Sequence, residues 1–488
     1  MDVKEIRRMG KSLSKFLGEF GDCFGRSEPR ENLRTYIRGQ LSHLPRKSIE
    51  PIALSAGVRP RTLQVFLSIS QWDQQRMLDK TQWIVARDHS DRHAIGVVDD
   101  SGNPKKGNHT AGVQRQWCGN TGKIDNCVVG VHISYVAGDF QCLLDSDVYL
   151  PKQWAHDIAR RQRACIPDEV TYRKKTDIAL DQIGRAIGNG VRVSAWTFDE
   201  WYGRDSGFLD GLDVLGQSYI GEVPSTFTGW SHQPQILQKA SPQEAHKRGR
   251  KRQYPRLAGK ALAPSEVRNL LTYSLQFQKQ KWKRFKIKDG ERGPIVWEIK
   301  HVEFYRKHGH SGLPGPMHTL IVARNVSDPN EIKYFVSNMV PGSNGVSIEW
   351  MLWVAFSRWP VERCFELSKR DLGMDHFEVR SWQAIHRHFY ISQLSLLFCA
   401  RVQQRLREKN DSQFISDGGT GSKGCRHVDR SAGSASINPR ETVSRNRREN
   451  CLLPETQQGG SYLPYEKNNS TAAKHGRRSR TIELMHSG

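Results

Sequence analysis

The chain has 488 residues, enough for about three domains by length alone, and 37% of them are hydrophobic. Its 74 Lys and Arg residues outnumber 51 Asp and Glu residues, giving a formal net charge of +23 and a pI near 9.7. This charge favours a polyanionic partner such as a nucleic acid, and the lack of any apolar run of about 18 residues argues against a membrane protein. The nine cysteines are odd in number and include no Cys-x-x-Cys pair, and Cys142, Cys364 and Cys399 lie within apolar stretches, which favours reduced core cysteines in a cytoplasmic protein.

Residues 1–90 are basic and have a helical pattern, so we predict a helical N-terminal DNA-binding region. The stretch "SIEPIALSAGVRPRTLQVFLS" contains two short amphipathic segments separated by Gly57. This spacing suits a helix-turn-helix, and it suits an ordinary helical hairpin equally well. Arg59 and Arg61, near the start of the second segment, favour DNA as the partner.

Strand patterns begin at residue 91. A buried strand over residues 93–98 is predicted to end at Asp99 and Asp100, before a Gly- and Lys-rich loop that holds Lys105 and Lys106. Two antiparallel strands follow in "NCVVGVHISYV" and "FQCLLDSDVYL", and then a helix in "TDIALDQIGRAIGNG". A returning strand, "VRVSAWTF", again ends in carboxylates, Asp199 and Glu200. Residues 91–220 therefore predict the first part of an α/β layer.

Residues 221–316 interrupt this pattern, and we predict a mostly β insertion there. A basic run in it suggests a patch that contacts the DNA backbone through Arg250, Lys251 and Arg252. Strands and two helices resume over residues 317–407, completing the α/β layer, and the second helix is predicted to be amphipathic. From residue 408 to residue 488 the periodicity stops and Gly, Ser and Arg dominate, so we predict a disordered basic tail.

Two strands that end in carboxylates are the main functional signal. Functional groups collect at strand ends in open α/β sheets, and carboxylates are the oxygen ligands that Mg²⁺ prefers. Glu362 lies four residues after Arg358 and seven before Lys369, so a regular helix would place all three on one face. A simple salt bridge could explain that spacing by itself. The two strand-end acids and the strong positive charge favour a shared site instead.

In this order and spacing, Asp99, Asp199 and Glu362 resemble the acidic triad of DDE transposases from bacterial insertion sequences. The closest branch has the signature Tyr-x-x-Arg-x-x-x-Glu-x-x-x-x-x-x-Lys, which Arg358, Glu362 and Lys369 match, whereas Ala355 replaces the tyrosine. Further resemblance lies in "VDDSGNPKKG", "GNTGKIDNC", "VYLPKQW" and "LGMDHFEVRSWQAIHRH", so it spans roughly residues 30 to 405. It implies an RNase H-like mixed sheet flanked by helices, with a β insertion between the second and third acids.

The resemblance also implies a mechanism. Asp99, Asp199 and Glu362 would hold two Mg²⁺ ions, for which Mn²⁺ could substitute, and Arg358 and Lys369 would contact phosphates of the terminal DNA. The enzyme would bind the ends of its element, hydrolyse a phosphodiester to expose a 3′-OH, and join that hydroxyl to target DNA. Its partners would be double-stranded DNA, both terminal inverted repeats and target, and a second copy in a homodimeric synaptic complex in the bacterial cytoplasm, associated with the nucleoid.

Several alternatives stay open at this point. We prefer Asp99 to Asp100 because it continues the strand, and Asp199 to Glu200 because the family has aspartate there. A non-cleaving repressor or domesticated relative with the same fold is the main alternative function, and acids at all three positions argue against it. An RNase H-like nuclease acting on another substrate is a third possibility, which the basic N-terminal helices and the insertion disfavour.

Overall fold

The computed structural model describes residues 3–240, 252–290, 293–309, 311–343 and 345–416. It begins with five helices: α1 (Val3–Gly18), α2 (Ser27–Gln40), α3 (Ile49–Ser55), α4 (Pro60–Ser68) and α5 (Gln74–Asp88). The two helices predicted around Gly57 are therefore confirmed as α3 and α4. Gly57 has a φ of 69°, a left-handed conformation that glycine adopts without steric cost. A helix-turn-helix and a helical hairpin share this local geometry.

The central part of the fold is one half of a large mixed sheet. Its strands are β1 (Ile95–Pro104), β2 (Gln114–Cys118), β3 (Lys123–Ala137), β4 (Phe140–Val148), β5 (Ala195–Phe198) and β6 (Tyr219–Val223). The spatial order β4-β3-β1-β5-β6 has antiparallel pairing among β4, β3 and β1 and parallel pairing among β1, β5 and β6. This order and these directions define an RNase H-like sheet, so the predicted fold class is confirmed.

Helices between these strands cover the sheet. They are α6 (Lys152–His156), α7 (Ile158–Arg163), α8 (Lys175–Gly188), α9 (Glu200–Gly203) and α10 (Ser206–Val214). The helix α8 confirms the one predicted before the returning strand, and it packs its apolar side, including Ile178 and Ile183, into the core. The helix α9 lies so close to β6 that a Cβ atom on Gly203 would overlap the carbonyl oxygen of Glu222.

The prediction that the first strand ends at Asp99 is wrong. Strand β1 continues to Pro104 and pairs with β3 along its whole length, so both acids lie within the strand and part of the predicted loop is strand. The buried residues beyond the acids are polar, Ser101 and Asn103, which hid the continuation of the strand pattern. Both side chains form hydrogen bonds there, for example from Asn103 Nδ2 to the carbonyl oxygen of Val128 at 3.3 Å, while Asn103 Oδ1 has no partner among the described residues.

The insertion is mostly β, as predicted, but its strands extend the same sheet. Strands β14 (Ile332–Ser337), β13 (Pro314–Asn325), β12 (Gly293–Lys307), β7 (Thr228–Trp230) and β10 (Ser265–Glu266) continue the sheet beyond β6, and β11 (Lys283–Gly290) pairs with β12. Strands β8 (Ile236–Leu237) and β9 (Arg256–Leu257) form a separate pair, and α11 (Val267–Tyr273) and α12 (Leu275–Gln278) are short helices. The predicted boundaries at residues 220 and 316 thus fall inside β6 and β13.

Three helices follow the sheet: α13 (Ile348–Phe356), α14 (Trp359–Glu366) and α15 (Trp382–Ser416). Helix α15 was predicted to be amphipathic, but between residues 384 and 398 it is buried on all sides, because it lies between β4 and the N-terminal helices. Buried polar contacts fix this packing, including Tyr36 Oη with His388 Nδ1 at 2.9 Å and Arg387 with the carbonyl oxygen of Leu67 at 3.1 Å.

Helix α15 also continues to Ser416, beyond the predicted start of the tail at residue 408. The rest of that predicted tail lies outside the described residues. In the part of the chain that the structure describes, no helix is both long enough and apolar enough to cross a bilayer.

Candidate active site

The first two predicted acids lie side by side on neighbouring parallel strands. Val97 of β1 is in register with Thr197 of β5, so continuing the register by two residues brings Asp99 opposite Asp199. Asp199 follows the last residue of β5 and caps α9, where its Oδ1 accepts hydrogen bonds from the backbone N–H groups of Trp201 and Tyr202 at 3.0 and 3.2 Å. This cap fixes one carboxylate oxygen of Asp199 and leaves the other available.

Asp99 has an unusual electrostatic environment. Its side chain is only 18% exposed, and burial raises its pKa to about 7; Asp199 and Asp100 add to the rise, while Arg358 opposes it. The nearest cation is Arg358, whose Nη2 is 4.0 Å from Asp99 Oδ2. The acidic side chains around Asp99 therefore carry more negative charge than the neighbouring basic side chains neutralise, as is typical of a cation-binding site.

The structure also bears on the choice between Asp99 and Asp100. Asp100 Oδ2 forms an ion pair with Lys175 Nζ at 2.9 Å, and both side chains are largely buried. The ammonium group of Lys175 also lies 4.9 Å from the ring centroid of Trp201. Asp100 is thus already neutralised by a lysine of the same chain, which supports Asp99 as the acid available to a ligand.

Glu362 faces the same cavity from the opposite side. This cavity of about 990 Å³ is lined by both strand acids, Glu362, Lys175 and Lys369. Glu362 lies on α14, is exposed, and forms no hydrogen bond or ion pair with any described residue. Its neighbour Phe365 is buried, so α14 is anchored next to the acid.

Arg358, Glu362 and Lys369 lie on one helical segment, but this segment is not the regular helix that the prediction assumed. Pro360 lacks the N–H that would bond to Phe356, so the helix breaks between α13 and α14 and Arg358 is the N-cap residue of α14. A π-helical turn, Leu367–Asp371, follows α14 and carries Lys369.

Arg358 and Lys369 still lie close to the acids. Arg358 bridges β1 and β6, since its Nη1 donates to Glu222 Oε2 at 3.4 Å while its Nη2 lies near Asp99. Lys369 Nζ donates to the carbonyl oxygen of Gly102 at 3.4 Å, and burial lowers its pKa. Ala355, at the signature tyrosine position, is buried in the core.

The other predicted DNA-binding residues divide into three groups. Lys105 is held in place, because its Nζ donates to the carbonyl oxygen of Phe377 at 2.8 Å and lies 3.4 Å from the centroid of that ring. The side chains of Lys106, Arg59 and Arg61 are exposed and unpaired within the described residues. Arg252 donates to the carbonyl oxygen of Gln238 at 3.0 Å, while Arg250 and Lys251 lie outside the described residues.

Comparison with known proteins agrees with this geometry. Residues 19–294 match the family described as DDE superfamily endonuclease, a range that holds the RNase H-like sheet with Asp99 and Asp199 and ends before Glu362. The chain belongs to the DDE superfamily of endonucleases. It is also 31% identical over 189 residues to a probable transposase for insertion sequence element IS701 from Microchaete diplosiphon. That match covers 38% of this chain and 47% of the relative, so the chain spans about half the length of this curated relative.

In this DDE endonuclease, sequence patterns missed two residues of the site. Gly221 of β6 is in register with Phe198, so Glu222 continues the row formed by Asp99 and Asp199; it also binds Lys333 at 2.9 Å. Glu222 could have been found in "SYIGEV" by the same pattern, a carboxylate that follows an apolar strand segment. Lys175 had no such signal, because its role depends on the fold bringing it to Asp100.

DDE endonucleases generally use divalent metal ions, and the residues present fit such ions in donor type. Asp99, Asp199 and Glu362 come from three different elements. Asp199 has one carboxylate oxygen without a hydrogen bond from a described residue, Glu362 has no partner among them, and Asp99 Oδ2 has only the 4.0 Å contact with Arg358. Hard oxygen donors of this kind are those that Mg²⁺ takes from proteins. The described residues nevertheless contain no group of three or more ligating side chains already gathered at metal-binding distances.

Proposed function

We propose that this chain is a DNA transposase that cuts the ends of an insertion sequence and joins them to target DNA. The observation that supports this most strongly is the placement of Asp99, Asp199 and Glu362 around one cavity of an RNase H-like sheet. Family membership and the similarity to a probable transposase support the same proposal. In it, water first attacks a terminal phosphodiester and exposes a 3′-OH, which then attacks target DNA.

Asp99, Asp199 and Glu362 would hold two divalent ions, Mg²⁺ with Mn²⁺ as a substitute, which when bound activate the attacking oxygen and stabilise the leaving oxygen. Asp99 must be ionised to act as a ligand, so a metal ion has to compete with the proton that burial favours on Asp99 in the metal-free site. Arg358 keeps Asp99 and Glu222 in position and partly offsets their charge. Lys369 has one weak backbone contact, so its ammonium group can donate to a DNA phosphate.

Both reactions can use the same cavity because only the nucleophile changes between them. The proposed partners are terminal inverted repeats and target DNA, held by the exposed Arg59, Arg61 and Lys106 and by the net charge of +23. Joining two element ends to one target requires two active sites, so we propose a homodimer during synapsis. Such a substrate would place the protein at the bacterial nucleoid.

The test is cleavage of a labelled element-end duplex in Mg²⁺ by the wild-type chain and by Glu362→Gln. We expect at least a 100-fold loss of strand cleavage, with DNA affinity within threefold, because the basic surface supplies the affinity. Glu349→Gln, an exposed acid on the preceding helix α13, is the matched control and should cleave normally.

If wild type and Glu362→Gln cut equally well, Glu362 lies outside the active centre and the triad is wrong. If wild type binds a series of element ends but cuts none of them, the non-cleaving DNA-binding protein of the same fold is the better description.

A further inference from the structure

Ser101 is a buried hydroxyl in the wall of the catalytic cavity. It lies two residues after Asp99 on β1 and on the same side of the strand, and its side chain is 4% exposed. Within the described residues its Oγ has one partner, His132 Nε2, at 3.1 Å. A hydroxyl can donate once and accept twice, so Ser101 can make a further hydrogen bond toward the cavity.

A buried chain of hydrogen bonds leads from Ser101 into the core. Gln393 Nε2 donates to Ser146 Oγ at 2.7 Å, which leaves the Ser146 proton for another acceptor, and His132 Nδ1 lies 2.5 Å from that hydroxyl. In the tautomer in which His132 accepts from Ser146 at Nδ1, the ring proton is on Nε2 and is donated to Ser101. Ser101 then accepts from His132, and its own proton is available to a partner in the cavity.

The fold makes room for this series of hydrogen-bonded side chains and holds it rigid. Gly130 lies opposite Ser101 in the strand pairing, and a Cβ atom there would come within 2.6 Å of His132 Nε2. The imidazole also packs against Phe365 of α14 and Phe389 of α15, with ring centroids 5.0 and 5.8 Å away. Because Phe365 lies one turn after Glu362, the same ring links Ser101 to the helix of the third acid.

We propose that Ser101 donates a hydrogen bond to the scissile phosphate of the DNA, and that His132 and Ser146 are positioning residues that orient this donor. The proposal rests on the proposed function and names a substrate contact within it. The hydroxyl proton remains on Ser101 throughout, so Ser101 is a donor and not a nucleophile.

The test uses single-turnover cleavage of the end duplex by Ser101→Thr and Ser101→Val, which fill nearly the same volume and differ in the hydroxyl. We expect Ser101→Val to cleave roughly 10- to 100-fold more slowly than Ser101→Thr, the effect of one hydrogen bond to a charged group. The loss should fall on kcat, with KM and metal-free DNA binding unchanged. Ser134→Ala is the control, since it removes another buried serine hydroxyl of the sheet that has no partner among the described residues.

Ser146→Ala tests the orienting chain. It should slow cleavage in the wild-type background but have no further effect in the Ser101→Val background, because it acts through Ser101. Equal rates for Ser101→Thr and Ser101→Val, in a wild-type protein that cleaves, would overturn this inference and leave the proposed function intact. An additive loss from Ser146→Ala would overturn the orienting role. A wild type that never cleaves would overturn both proposals together.

Discussion

Replacing the buried acid Asp99 by asparagine should make the metal-free protein more stable. The pKa of Asp99 is about 7, against an ordinary value of 3.8. At about 1.4 kcal/mol per pKa unit this difference corresponds to about 4 kcal/mol of folding free energy lost when Asp99 ionises. Because 18% of the Asp99 side chain is exposed to solvent, this cost is partly screened. We therefore expect Asp99→Asn to raise the free energy of unfolding by about 2–4 kcal/mol at pH 8. The asparagine Oδ1 can still accept from the Asp100 N–H, as Asp99 does at 2.7 Å.

The stability gained by Asp99→Asn should depend on pH. A carboxyl whose folded pKa is raised binds its proton more tightly in the folded state, so ionisation destabilises the fold as pH rises from about 4 to about 7. The gain from Asp99→Asn should therefore be largest at pH 8, less than half as large at pH 5, and absent near pH 3. Urea unfolding in EDTA at these pH values measures it.

Two controls complete this experiment. Asp100→Asn breaks the ion pair with Lys175 and should lower stability at pH 8. Mg²⁺ should stabilise the wild type more than Asp99→Asn, because the variant lacks one of the three proposed carboxylate ligands. A gain that is equal at pH 5 and pH 8, or no gain at all, would refute the claim that Asp99 carries uncompensated buried charge.

Three other outcomes follow from the contacts of the site. Gly203→Ala should lower the free energy of unfolding by about 2–4 kcal/mol in urea titrations, because its Cβ would overlap the Glu222 carbonyl oxygen; an unchanged midpoint would contradict the close packing of α9 on β6. Lys105→Met should lower the free energy of unfolding by about 1–2 kcal/mol and leave DNA affinity within threefold, because Lys105 is bonded within the fold. Lys106→Ala should instead weaken DNA binding measured by fluorescence anisotropy. The reverse pattern would make Lys105 the DNA contact. Arg358→Lys should cut cleavage about 10- to 100-fold with DNA binding unchanged, since lysine cannot bridge Asp99 and Glu222; a fully active Arg358→Lys would show that the bridge is dispensable.

Local patterns in the sequence predicted the parts of the fold with strong periodicity. Helix α8, strands β3 and β4, and the returning strand β5 before Asp199 all occur where their apolar spacing predicts them. Asp99 and Asp199 were expected to be neighbours and they are, because β1 and β5 pair in parallel, although only Asp199 follows the end of its strand and Asp99 lies within β1. The roles of Asp99, Asp199 and Glu362 in catalysis remain predictions.

The parts that were missed depend on contacts distant in sequence. The end of β1 was placed too early because Ser101 and Asn103 are polar and buried, and their partners lie on β3. Arg387 and His388 make α15 a central helix through contacts with residues 66–72 and with Tyr36, which periodicity alone cannot reveal. The pairing of Lys175 with Asp100 likewise exists only in the folded chain.

The central claim, that Asp99, Asp199 and Glu362 form one metal site, can be tested without knowing the DNA end sequence. Fe²⁺ replaces Mg²⁺ in the protein bound to duplex DNA, and ascorbate with peroxide then generates radicals that cut the polypeptide near the bound ion. We predict cuts close to residues 99, 199 and 362 that excess Mg²⁺ suppresses and that Asp199→Asn abolishes. Cuts that fall elsewhere, or that persist at these positions in Asp199→Asn, would contradict the account.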